Sequence, residues 1–266
     1  MWISFNKICR NKMSEAIFQP KKLNKQRSKD LDKEEKHENE VQIESKFVES
    51  FISYKQNAPL CSFKEMGIGD PSTKVIEKIL RDTLTNPREK TSKISKVFRV
   101  KNSPEVVEKF EKYRDMVKLK AKETEHKHPR SLVDGNELLC FYATSMTCYS
   151  RKFEQVSGTC EQLNCNLCQI ISSSFDMKYS KKFGIQLSMS GEALHESISA
   201  VWKVKNSKRV VILCRIIAGR IRATKDGINE DVYDSIRSYR RFSLNSEHLI
   251  VKNPNAVLPC FVIVLN

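Results

Sequence analysis

Glycine and proline are scarce in this chain, at 8 residues each in 266. That excludes collagen-like and low-complexity classes. No run of about 18 apolar residues exists, so the sequence predicts no membrane-spanning helix. Residues 1–10 include Trp2, Ile3 and Phe5, but Lys7 and Arg10 interrupt them. Such a stretch is too short for a signal-peptide core, and an intracellular protein is expected. There is no GxGxxG or GxxxxGK loop, so Rossmann and P-loop readings have no support. No GxSxG elbow is present. His37, His126, His128, His195 and His248 form no HExxH or paired-ligand spacing. Zinc-finger helices, RNP-type strands and basic zippers are absent as well.

What the chain has in excess is positive charge, +15 overall. Residues 1–56 hold 12 Lys and Arg against 9 Asp and Glu, and residues 57–266 hold 35 against 23. The surplus therefore belongs mostly to the part that reads as folded. Residues 21–40 are almost all charged or polar and carry no aromatic, which predicts a flexible mixed-charge arm over 1–56. The basic run at 21–29 suits a solvated linker, a nuclear-import signal or a nucleic-acid contact. Nuclear and cytoplasmic locations are both open, and the arm tilts the choice to nuclear. Residues 57–266 are long enough for one core. Their net +12 suits a polyanion or an anionic small ligand.

The apolar pattern places the elements. Asp70-Pro71-Ser72 opens a helix with Val75, Ile76, Ile79 and Leu80 at helical spacing. A Lys-rich loop follows, then a short strand at 96–100. Ser103 caps a helix that begins at Pro104 and runs to about residue 121. Val106, Phe110, Tyr113 and Val117 make its buried face. Lys118, Lys120 and Lys122 suit the negative end of its dipole. Strands are predicted at 137–144, 184–189, 209–221, 248–251 and 256–265, with a helix at 192–201. The 209–221 run is β-branched and nearly continuous, hence central. Helices precede residue 135 and strands dominate after it, which gives an α+β class.

Nine cysteines in an intracellular chain read as thiols or metal ligands. Cys148, Cys160, Cys165 and Cys168 lie within one loop-rich insertion at 148–168, with eleven, four and two residues between them. Cys165 and Cys168 offer two thiolates to one zinc, and the other two complete a tetrahedron. The segment at 149–158 is poor in apolar residues, so a metal supplies order that burial cannot. The alternative is plain buried cysteine. Cys140, Cys214 and Cys260 fall in predicted strands among apolar neighbours, and Cys9 and Cys61 are isolated.

Several segments come in one order: HPRSLVDGNELLCFYATS, a CxxC followed by IISSSF, GIQLSMSGEALHES, VVILCRIIAGR and NSEHLIVKNPNAVLPCFVIVL. Together with the two upstream helices they resemble a plant poly(ADP-ribose) polymerase-like catalytic domain family, over roughly residues 66–266. The resemblance implies an ADP-ribosyltransferase-like split antiparallel β-sheet with flanking helices, holding NAD in a cleft. It implies pentosyl transfer, with ADP-ribose passing to an acceptor. The developing oxocarbenium ion is stabilised electrostatically. Glu247 falls at the family's glutamate position, which holds a ribose hydroxyl.

The family's His-Gly-Thr motif here reads Tyr142-Ala143-Thr144. Only Thr144 matches. Ala143 keeps the backbone pair to the carboxamide but adds a methyl where the ligand approaches. The resemblance also puts Gln186, Ser190 and His195 at the cofactor site. Gln186 stands where an aromatic is usual, and His195 near a second stacking ring. A lost polar contact weakens binding by about 1–3 kcal/mol, so a weakly active or degenerate transferase is expected. The other class of reading is a non-enzymatic, zinc-containing adaptor that binds nucleic acid or protein through its basic face.

Overall fold

The computed structural model describes residues 61–67, 69–84, 93–123, 129–148, 159–160, 165–176, 184–201, 207–223, 233–240 and 243–266. The expectations for the arm, for the Lys-rich loop and for the segment 149–158 lie outside the described residues.

The chain opens with β1 (Cys61–Glu65), and Asp70 then caps α1 (Pro71–Thr83) by accepting from the Ser72 amide at 2.8 Å. Next comes β2 (Ile94–Asn102). Ser103 accepts from the Val106 amide at 3.3 Å and starts α2 (Pro104–Glu123). Its Val106, Phe110, Tyr113 and Val117 are buried as the spacing predicts. A short α3 (Pro129–Asp134) leads into β3 (Glu137–Met146). Then follow α4 (Asn166–Ser173), β4 (Ile185–Ser188) and α5 (Gly191–Val201). The remaining strands are β5 (Lys208–Ile217), β6 (Ile221–Ala223), β7 (Ser235–Arg240), β8 (Ser243–Val251) and β9 (Val257–Leu265).

The nine strands form one sheet in the order β1-β2-β9-β5-β3-β4-β8-β7-β6. Every neighbouring pair is antiparallel except β6 with β7. With the helices grouped mostly early and the strands mostly late, the class is α+β. None of the described helices is long and apolar enough to cross a membrane.

Strand side chains alternate between faces, and the register sorts them. Phe98, Val262, Ile212 and Leu187 lie on one face, where α2 and α4 complete a core with Phe110, Val117, Leu167 and Ile171. Phe141, Leu213, Phe261 and Ile263 lie on the other, beneath α1 and α5, whose Ile76, Leu80, Leu194 and Ile198 are buried. Both faces of β9 are covered, and all nine of its residues are buried. That explains its unbroken apolar run.

The two helices on the second face meet at Gly191. A Cβ on Gly191 would lie 1.8 Å from the Thr83 carbonyl oxygen, a backbone atom that cannot step aside. Gly191→Ala is therefore expected to destabilise the protein by about 2–3 kcal/mol, a fall of roughly 5–10 °C in a thermal melt. An unchanged melting temperature would show that α1 and α5 move apart freely.

One predicted strand is corrected. The run 209–221 is not continuous: β5 stops at Ile217 and the chain restarts as β6 at Ile221. The β3 ladder ends at Glu137↔Ile217, which leaves β5 no partner beyond it. Gly219 then turns the chain at φ +57, where a Cβ would lie 2.3 Å from an Asp234 carboxylate oxygen. The turn sends β6 to the far edge, beside β7. Sequence pattern also missed β1, β7, α3 and α4.

A buried ionic network ties α2 to the sheet. Arg215 Nε and Nη2 donate to the two Glu137 carboxylate oxygens at 2.6 and 3.0 Å, and Arg114 Nη2 donates to the same carboxylate at 2.6 Å. Both guanidinium carbons also lie within 5.3 Å of the Phe110 ring centre.

Candidate metal centre and sheet joint

Cys148 follows the end of β3, and Cys165 stands at the N-cap of α4, with Cys168 in its first turn. Asn166 Nδ2 donates to Ser145 Oγ at 3.0 Å and holds the helix start beside the strand. Cys160 comes from the insertion between them. The four Sγ atoms lie within 4.8 Å of one another. Cys148 Sγ is 3.6 Å from Cys165 Sγ and 3.7 Å from Cys168 Sγ. A disulfide needs about 2.05 Å, so these are free thiols. A tetrahedron of thiolates around zinc, with Zn–S about 2.3 Å, has edges of about 3.8 Å. The two short spacings match that edge, and the other Sγ pairs lie within 4.8 Å. Cys148, Cys165 and Cys168 are buried and Cys160 is half-buried.

Within the cluster one thiol favours its charged form while its neighbours favour the neutral one. The hydrogen bond with the Cys148 thiol, then that with Cys168, pull Cys165 well below the ordinary thiol range. Cys148 is pushed up to about 12, chiefly by its hydrogen bond with Cys165. One thiolate shared among neighbouring thiols is what a soft cation would meet on arrival.

Beside this cluster the sheet is weakly joined. The strands β3 and β4 share one residue pair, Phe141↔Ser188. From Tyr142 to Met146, β3 pairs only with β5 among the described strands. Phe175 lies just past α4, after Ser174, and both have left-handed backbone at φ 48 and 65. Its ring meets Tyr142 edge to face, with centres 5.2 Å apart. So the cysteine-bearing helix ends in an aromatic packed against the joint.

The residues assigned to the cofactor by resemblance divide between the faces. Tyr142, Thr144 and Glu247 share the α2 face, by register with Ile212, Val210 and, through the joint, Cys140. Glu247 is part-buried, pairs with Arg237 Nε at 2.8 Å, and helps push the Cys140 thiol up to about 12, after burial itself. Ala143 and Gln186 point to the α5 face, and Gln186 is exposed. His195 is exposed on α5.

Ser190 Oγ donates to the Asn245 carbonyl at 2.5 Å and accepts from the Ala193 and Glu247 amides at 3.3 and 3.0 Å. One hydroxyl has one donor and two lone pairs. All are used in pinning α5 to β8. Sequence reasoning did not single out Arg237 or Phe175. No local signal marks either one, because each acquires its role from a distant strand. Cys140, Cys214 and Cys260 are buried strand cysteines, as read.

No protein-family model matches the chain, and no curated protein matches it.

Proposed function

We propose that the chain is a zinc-stapled protein of ADP-ribosyltransferase fold whose NAD cleft has degenerated. The observation that carries the reading is the sheet joint, where the described strands share the single pair Phe141↔Ser188, with Tyr142, Thr144 and Glu247 on one face beside it. A parting between two half-sheets is where that fold receives NAD. The four-cysteine cluster supports a structural zinc next to the parting, held by Cys148, Cys160, Cys165 and Cys168. Such a metal contributes order and charge neutralisation, and no substrate chemistry.

In this reading Glu247 holds a ribose hydroxyl and stabilises the cation that forms as the nicotinamide bond breaks. Arg237 competes for that carboxylate. Tyr142 stands in for a histidine and is already packed against Phe175. With the Ser190 hydroxyl also committed, few polar groups remain for the ligand. The acceptor would be a protein. The second reading is a non-enzymatic adaptor for nucleic acid or protein. It is favoured by the basic surplus, which NAD's pyrophosphate uses only in part.

One titration tests the choice. At 1 mM NAD the wild-type melting temperature is expected to rise by less than about 1 °C. Tyr142→His combined with Ala143→Gly is expected to bind NAD at least about tenfold more tightly, through one restored polar contact. Micromolar NAD binding by the unmodified chain, with turnover lost in Glu247→Ala, would instead show a working enzyme.

A further inference from the structure

We propose that the corner of the sheet where β6, β7 and β8 meet binds a phosphate-type oxyanion. A hollow there is lined by Arg222, Tyr233, Asp234, Ile236, Ile250 and Lys252. The register sets Arg222 opposite Ile236, and Ile236 opposite Ile250. Those three side chains therefore share a face, and Lys252, two residues past Ile250, joins them. Two isoleucines and two cations line the hollow, and the apolar side chains strengthen the pull of both charges on an anion.

Arg222 gives the second, independent pointer. Its Nε is buried and has no acceptor among the described residues. A buried donor without a partner is uncommon and calls for a water, an ion or a ligand. A planar guanidinium matches the paired oxygens of a phosphate better than any single acceptor. The acid that lines the hollow does not cancel this field. Asp234 Oδ1 pairs with Lys120 at 3.3 Å, and its Oδ2 accepts from the Arg220 amide at 2.9 Å. Its charge is thus directed to the far end of α2 and to the Gly219 turn.

The hollow lies toward the sheet edge, beyond β8 as seen from the β3–β4 joint, so it is separate from that joint. It also gives part of the basic surplus of residues 57–266 a use. The ligand class is a tetrahedral oxyanion carrying at least one phosphate, either free or on a nucleic-acid backbone.

Calorimetric titration of the full chain with inorganic phosphate, pyrophosphate and a short single-stranded oligonucleotide tests this, at ionic strength held constant with chloride. Arg222→Gln is expected to weaken binding at least about tenfold, and Lys252→Gln by a smaller factor. In phosphate-free buffer the Arg222→Gln melting temperature should stay level or rise, because a buried unsatisfied donor has gone. Oligonucleotide binding that depends on Arg222 and falls steeply with salt identifies backbone phosphate as the source. Binding of phosphate and pyrophosphate alone identifies a free anion. Should Arg222→Gln fail to fold, Lys252→Gln carries the test. Equal phosphate binding by the wild type and the folded variants, or no binding of any of the three probes, overturns the proposal.

Discussion

Purified under reducing conditions, the protein is expected to carry about one zinc per chain, and stripping it to lower the melting temperature by roughly 10 °C or more. The size of the effect follows from what the cysteines join. Cys148 lies just past the end of β3, while Cys165 and Cys168 open α4. That helix is only eight residues long, too short to hold itself in water. It nevertheless buries Leu167, Ile170 and Ile171 in the α2-side core and positions Phe175 against Tyr142. Without the metal, four thiols face one another at 3.6–4.8 Å with no covalent bond between them. Elemental analysis and a melt with and without chelator read the effect directly. Cys165→Ser and Cys168→Ser should each abolish zinc retention, whereas Cys260→Ser, on β9, should leave it intact. A metal-free protein whose melting ignores chelator would reduce the cluster to packed core cysteines.

Glu137→Gln is expected to cost about 3–5 kcal/mol, the penalty for leaving a buried ion pair without one partner. For a domain of this size that is roughly 10–15 °C in melting temperature. The substitution keeps the side chain's shape and removes only its charge. Among the described residues, Glu137 is the carboxylate that both Arg114 and Arg215 reach, and all three side chains are at most 7% exposed. Arg114 has a second acid, Glu111, but that residue is 42% exposed and its pairing is screened by water. Glu111→Gln is therefore the control, with an expected loss below about 1 kcal/mol. Equal melting temperatures for the two variants would mean that the buried network contributes no more than a surface pair.

The legible parts of the fold were those written locally. The buried stripe of α2 and the unbroken apolar run of β9 state their environments in their own spacing. Ser103 and Asp70 cap their helices as their positions imply. The strand β1, by contrast, has only the short sequence CSFKE and is defined by its ladder with β2. The break at Gly219 was hidden inside a β-branched run, because it depends on where the β3 ladder ends. At the candidate site, the four cysteines were readable from number and spacing. That their helix would also deliver Phe175 to Tyr142 was not, since the contact joins residues 33 apart through two elements. The Arg215–Glu137 fork joins residues 78 apart and left no local trace.

The strand order carries a consequence for how the molecule is made. Residues 94–102 find their sheet neighbour on one side only in residues 257–265, and through them reach β5. During synthesis β1 and β2 can form no more than an isolated two-stranded ribbon, which is marginal in water. Their apolar face, with Phe63 and Phe98, must wait while more than half of the chain emerges. Closing so long a loop is slow, and the waiting ribbon is an exposed edge. A nascent chain that stalls before β9 would thus present a ready aggregation surface, and a chaperone that shields it would have its longest task there.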